Sequence, residues 1–499
     1  MKLEQARVEF SKLQKRLSAF HHATSLIYYD GNTTAPPDTL SNRTKALAVL
    51  NEEIVRLSMG PETMELLMFL DENKFELTVN ERRSVDFMLK DYNKRKNIPV
   101  EEYVRYEGLI AEAEDAWHRA QDENDFEIGR PYLEDIFETS RKFALMENPN
   151  DDPYQYWLDK NEEGLEVSTC DRIFESIKEE IPSLLQAIGE SDVQIEKIDG
   201  EFPAEEQESL AVYMMELFGI NMDRVGFATG PHPFTTMIGS HFDERIVTKY
   251  LRRDFTSSLY SVIYGIGRVL CDMGQADNLA YTVLDGTTSM VILQSQSYLY
   301  ENIIGRSREF IEFIYPELDE LFPDYTENHT AEDVYKSVNK VEPGLSRLDS
   351  DELTYTLHTL IRYELEKAMM RKDLAVKDLP DAWKELYKKY LGLDVPNDKD
   401  GVLQDMHWPF GAIGNFPTYM VGNAYGAAMV DRMGEAIDIK GCVSCGNFKP
   451  INEWANDKIW KYGGIYTSGE LMRKFIHAES DSAGYIEYLK NKYKEIYKL

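Results

Sequence analysis

Cysteine is scarce in this chain: only Cys170, Cys271, Cys442 and Cys445 occur in 499 residues. So few thiols exclude a disulfide-framework protein and point to a reducing, cytoplasmic setting. Long apolar runs are missing too. No stretch approaches the ~20 residues that span a bilayer. The opening MKLEQARVEFSKLQKRL is charged and amphipathic where a signal peptide would carry an apolar core. Positive charge is in deficit: 55 Lys and Arg stand against 88 Asp and Glu, a net charge of −33. Such a surface repels phosphate backbones and anionic lipid, so neither nucleic acid nor a membrane is an expected partner. Ser/Gly linkers, low-complexity blocks and internal repeats are also absent, which argues against a string of tethered modules.

Several catalytic signatures are missing as well. The nine histidines are His21, His22, His118, His232, His241, His329, His358, His407 and His477, and no two form HExxH. His21 and His22 are adjacent, so on a helix they diverge by about 100° and do not share a metal easily. There is no GK[ST] phosphate loop and no GxSxG nucleophile elbow. Cys442-Val-Ser-Cys445 is a CxxC, but a closed zinc site needs four ligands and no second CxxC follows. It reads as a free thiol pair, with a redox or partial metal role as the alternative.

What the chain does have is helical periodicity. Apolar residues recur at i, i+3, i+4 and i+7 through residues 6–29, and again near 43–57, 79–95, 100–122, 168–188, 204–218 and 350–371. Strand-like runs are short: RIVTKY (245–250) and SVNKVEP (337–343). Turn clusters such as NTTAPPD (32–38) and VPNDKDG (395–401) punctuate helices rather than separate domains. The expected fold is mainly α, one large unit or two lobes. Within it, SVIYGIGRVLCDMG (261–274) reads as a helix, yet Gly265 and Gly267 sit in its middle. Each costs a helix interior about 1 kcal/mol relative to alanine.

A resemblance bears on that helix. PHPFTTMIG (231–239), DERIVTKY (243–250), SVIYGIGRVLCDMG and SMVILQSQSYLYENIIGRSREF (289–310) resemble successive blocks of the carboxypeptidase Taq family. So do NKVEPGLSRLDSDELTYTLHTLIRYELEKA (339–368), GVLQDMHWPFGAIGNFPTYMVGNAYGAA (401–428) and YYDGNTTAPP (28–37). That family comprises zinc metallocarboxypeptidases that trim peptide C-termini. The resemblance implies a single, mainly helical domain over residues 1–499, with two lobes flanking a deep central groove and a small three-stranded sheet. It also implies homodimers.

Carried over residue by residue, the family's HPF motif is intact as His232, Pro233 and Phe234. Its DxRxT motif keeps Asp243 and Arg245, with Val247 in place of Thr. Its GxxQDxHW motif is intact as Gly401, Gln404, Asp405, His407 and Trp408. These residues are the implied groove lining. Arg347 is the candidate contact for a peptide carboxylate, because a guanidinium binds a carboxylate bidentately. The alternative is an internal pair with Asp349, Asp351 or Glu352.

Where the family has HExxH, this chain has Tyr264-Gly265-Ile266-Gly267-Arg268, and Gln294 replaces the third ligand, a glutamate. Tyr298 stands where an arginine follows that segment, and Asn415 replaces a tyrosine. Tyrosine is a neutral phenol near pH 7, arginine stays cationic, and Gly265 cannot act as a base. The expectation is a member of the family without zinc and without peptidase activity, which binds peptide C-termini, pairs with itself or pairs with an active relative. Arg268 is expected to be held by Glu301 or Asp272. The alternatives are an active metallocarboxypeptidase whose metal has moved, for instance to Cys271, or another hydrolase built on His232, His407, Asp405 and Arg268.

Overall fold

The protein is described by a computed structural model covering residues 2–286, 289–478 and 481–499. Helices dominate and match the periodic segments: Leu40–Met59, Val79–Lys96, Val100–Glu123, Val167–Gly189, Ala204–Leu217 and Glu352–Arg371. Capping explains several of their ends. The Asp351 side chain accepts from the backbone N–H of Leu353 and Thr354, starting the last of these helices. Lys372, at φ +66°, ends it in a left-handed turn.

Three strands form one small sheet. β1 (Val225–Thr229) lies parallel to β3 (Glu244–Thr248), and β2 (Phe234–Met237) lies antiparallel on its other edge, in the order β1-β3-β2. The β-branched run of RIVTKY thus becomes the central strand, with Ile246 and Val247 buried. SVNKVEP is not a strand, contrary to its β-branched reading. Residues Ala331–Val338 form a helix, and an irregular stretch continues to Asp351. Val338 closes that helix and Val341 follows it, both buried, and the Val341 N–H donates to the Tyr497 hydroxyl rather than to a strand.

The chain resolves into two compact units. One comprises Met1–Lys94, Glu196–Val338 and Met429–His477; the other comprises Arg95–Ile195, Asn339–Ala428 and Ala478–Leu499. In the first, Phe10, Leu13 and Leu17 of the N-terminal helix pack in one cluster with Leu67, Leu70, Val85 and Met88. In the second, a buried carboxylate organises an aromatic core. Glu366 accepts from Tyr154 Oη at 2.7 Å, Trp408 Nε1 at 2.7 Å and Gly414 N at 2.8 Å. Burial pushes its carboxyl up to about 7 against those three donors.

The glycines of the Thr256–Met273 helix have a packing reason. A Cβ at Gly265 would stand 2.7 Å from Thr235 Oγ1 of β2 and 3.3 Å from Ile246 of β3. A Cβ at Gly267 would stand 2.6 Å from the carbonyl oxygen of Gln296 in the neighbouring Met290–Tyr298 helix. The helix lies against the sheet on one side and another backbone on the other, and only glycine permits both approaches. Gly267→Ala is therefore expected to lower stability by about 1–3 kcal/mol through overpacking, where helix propensity alone would raise it by about 1 kcal/mol. Urea unfolding checks the sign; a stabilised variant would contradict the close packing.

Candidate functional site

The helix Thr256–Met273 presents Tyr264 and Arg268 on a half-buried face one turn apart, while Val262, Ile263, Ile266 and Val269 enter the core. Tyr264 Oη donates to Gln294 Oε1 at 2.8 Å, so two of the three side chains that the resemblance puts at metal-ligand positions are bonded to each other. Gln294 is 8% exposed, and Tyr298, one turn on, is buried. The helix carrying them then loosens into a π turn over Leu299–Ile304.

Arg268 is not held by Glu301, which pairs with Arg306 at 3.1 Å. Two acids lie within electrostatic range of Arg268: Asp272, one turn on, and Glu244 at the start of β3. Neither is within the 4.0 Å of an ion pair. The expected pairing with Asp272 is therefore not made, because both side chains stop short of contact, and Glu244, 24 positions away and brought to the helix by the sheet, was not foreseen. Glu244 is fully buried, and neither carboxylate oxygen has a hydrogen-bond partner. Burial, then the neighbouring Asp272, hold its carboxyl well above the usual range. Burial likewise pushes Asp272 up to about 6, opposed by Arg268. His241 extends this cluster: its Nδ1 lies 2.7 Å from Asp285 Oδ1, with both side chains buried.

The HPF and DxR residues sit on the sheet of the same unit. His232 and Pro233 are exposed, and Phe234 is half-buried in edge contact with Tyr28 and Tyr29, at ring distances of 5.8 and 6.4 Å. Arg245 pairs with Asp243 and lies 5.6 Å from the Tyr29 ring. Val247 is buried opposite Phe234.

The remaining motif residues belong to the other unit, where Asp405 is the hub. It pairs with the fully buried Arg362, lies 3.4 Å from Arg347 Nη2 and accepts from His407 Nδ1 at 2.9 Å. Burial opposes its ionisation, but Arg362, His407 and Arg347 together hold its carboxyl well below the usual range. Arg362 also donates to the His358 carbonyl at 3.0 Å and stacks on Trp383. Arg347 thus has an internal partner, but it is Asp405 and not Asp349, Asp351 or Glu352. Asp351 is spent on its helix cap, and Glu352 receives Lys492.

Trp408 is no lining residue. It is fully buried, bonded to Glu366 and packed edge-on against Phe137, Trp383 and Phe416. Gln404 is half-buried and spends its amide on the Asp400 carbonyl. Gly401 is buried against Val395. His407 alone of this motif keeps a half-exposed ring, tilted over Phe416 at 4.5 Å. Arg362 escaped sequence reading because its partner Asp405 lies 43 residues away and nothing local marks the pair.

The other thiols offer little chemistry. Cys271 is fully buried, and burial pushes its thiol well above the ordinary range. Cys442 and Cys445 lie on and just beyond a six-residue helix, Ile439–Ser444. Among the described residues no three of His, Cys, Asp and Glu stand in an arrangement that could hold a metal ion. Nor is any helix among them long and apolar enough to cross a membrane.

Comparison with known proteins places these features in context. Residues 9–493 match the family model described as carboxypeptidase Taq (M32) metallopeptidase. The chain is 32% identical to carboxypeptidase 1 of Bacillus subtilis over 502 residues, covering 100% of both chains. It is 32% identical to thermostable carboxypeptidase 1 of Pyrococcus furiosus over 491 residues, 96% of each chain. The crystal structure of an M32 carboxypeptidase from Deinococcus radiodurans superposes with a TM-score of 0.96 at 28% identity, covering 99% of this chain and 100% of that one.

Proposed function

Since this chain belongs to the carboxypeptidase Taq (M32) metallopeptidase family, we propose that it is a member that binds peptide C-termini without zinc-dependent cleavage. The observation that carries this reading is the Tyr264–Gln294 hydrogen bond at 2.8 Å beside the cationic Arg268. A catalytic zinc site takes three protein ligands and leaves one position open. Here the three aligned positions offer a neutral phenol, a neutral amide and a guanidinium, and the first two already satisfy each other. These residues do not fit zinc. A base at position 265 would be crowded: its Cβ would stand 2.7 Å from the Thr235 hydroxyl. Zinc lowers the pKa of bound water from about 15.7 to about 7, so its loss removes about eight orders of magnitude of hydroxide at neutral pH. A positioned base contributes typically another ~10²–10⁴.

The test is metal content by inductively coupled plasma mass spectrometry after zinc incubation and dialysis, with C-terminal trimming of peptides followed on the same sample. The expected result is no retained metal and no trimming. Near-stoichiometric zinc overturns the reading.

One observation favours a second reading, hydrolysis by other chemistry. His407 Nδ1 is 2.9 Å from Asp405, as in a base oriented by a carboxylate. Metal-free trimming that disappears in His407→Gln would establish it. His232 gains no comparable support, since no hydrogen bond or ion pair ties it to another titratable group among the described residues.

A further inference from the structure

The guanidinium of Arg268 stands on the Tyr264 face, one helical turn on, and its donors are unspent. It makes no hydrogen bond to any described residue and no ion pair within 4.0 Å, although it is half-buried on a long helix. Other arginines each have a carboxylate partner: Arg245 has Asp243, Arg306 has Glu301, and Arg347 and Arg362 share Asp405. A guanidinium presents five N–H donors in a planar fork matched to an oxyanion.

We propose that Arg268, beside Tyr264, is a binding site for a carboxylate, so that this face recognises an anion. This rests on the reading above that no zinc occupies the face.

Three observations support a carboxylate site. First, the position is rigid. Gly265 and Gly267 seat the helix against Thr235 and the Gln296 backbone, so the Arg268 backbone is fixed before a ligand arrives. Second, the neighbouring side chains are neutral: the Tyr264 hydroxyl donates a hydrogen bond to the Gln294 amide oxygen, and neither adds a charge to compete with a ligand. Third, the titratable groups acting on Arg268 are buried and none pairs with it within 4.0 Å. They are Asp272 and Cys271 on its own helix and Glu244 on β3, all buried, with His241 and Asp285 acting in turn on the two acids.

Those acids also select the class of anion. One guanidinium near the buried Asp272, in a chain of net charge −33, favours a monoanion over a dianion. The ligand is therefore a carboxylate, from a peptide C-terminus or an acidic side chain, rather than a phosphate.

The test is saturation-transfer NMR on the full chain with hippurate, its uncharged amide hippuramide, and inorganic phosphate as probes. Hippurate is expected to bind with a Kd of about 1–10 mM, as one charge-assisted contact allows, and hippuramide is not expected to bind. Arg268→Gln is expected to weaken hippurate at least about tenfold and Arg268→Lys about threefold, since lysine keeps the charge without the fork. Asp272→Asn is expected to tighten it, and the exposed Arg56→Gln serves as a control without effect.

Equal binding by wild type and Arg268→Gln overturns the proposal. So does loss of binding in Arg347→Gln with full binding in Arg268→Gln, or phosphate binding more tightly than hippurate. Arg268→Lys keeps the test decisive should Arg268→Gln fail to fold. The outcome is separable from that of the functional reading: retained zinc overturns that reading, whereas a metal-free protein indifferent to hippurate overturns only the Arg268 site.

Discussion

Replacing Asp405 by alanine destabilises its unit by about 3–5 kcal/mol, the cost of leaving a buried charge without its partner. Arg362 is fully buried and the Arg347 side chain is 10% exposed, so neither guanidinium can turn to water when the carboxylate is gone. Removing the acid strands two cations and also unfastens His407. Asp405→Asn keeps the acceptor oxygen and loses the charge, so it lies between wild type and alanine. The same network sets a pH dependence. The folded carboxyl is held well below its unfolded value, so the stability it supplies is complete above about pH 4 and is lost as pH falls through the folded pKa. In calorimetry, acid should lower the transition of wild type more steeply than that of Asp405→Asn. Parallel acid profiles for the two proteins would show that Asp405 is not the ionised hub.

The largest change in activity is expected from rebuilding the metal site in steps. Tyr264→His, Arg268→His and Gln294→Glu together restore three ligands of the kind a catalytic zinc site uses. This triple variant is expected to retain about one zinc per chain by mass spectrometry and still not trim peptides, because Gly265 supplies no base. Adding Gly265→Glu places a Cβ 2.7 Å from Thr235 Oγ1, so the new carboxylate begins displaced. A misplacement near 1 Å costs about 100-fold in rate. Trimming should therefore emerge only when Thr235→Ala is added as well, at about 100-fold above the variant that keeps Thr235. Equal rates with and without Thr235→Ala would show that the sheet does not obstruct the base. Failure of the triple variant to hold zinc would show that more than the three donors has been lost.

The two series draw on different kinds of information. The expectation that Tyr264, Arg268 and Gln294 stand at the family's ligand positions rests on side-chain identity within ordered blocks of the chain. The helices were legible because a buried stripe imposes its 3.6-residue period on the sequence. Central strand β3 was legible from its β-branched run, whereas SVNKVEP carried the same composition without a neighbouring strand to pair with. Trp408 and Asp405 were legible as motif members but not in their roles. Whether a tryptophan lines a surface or fills a core depends on Glu366, 42 residues away.

What the sequence by itself determined is therefore the helical fold and which side chains stand in the Tyr264–Arg268 segment and at Gln294, since periodicity and side-chain identity are local properties. Only the tertiary structure decided why Gly265 and Gly267 are glycines, that Asp405 rather than a neighbour in sequence engages Arg347, and that Arg268 stands with its donors unspent before two buried acids. Each of those depends on distance and burial between segments far apart in the chain. Short-range clash and low-dielectric electrostatics act through space, and neither leaves a periodic trace in the sequence.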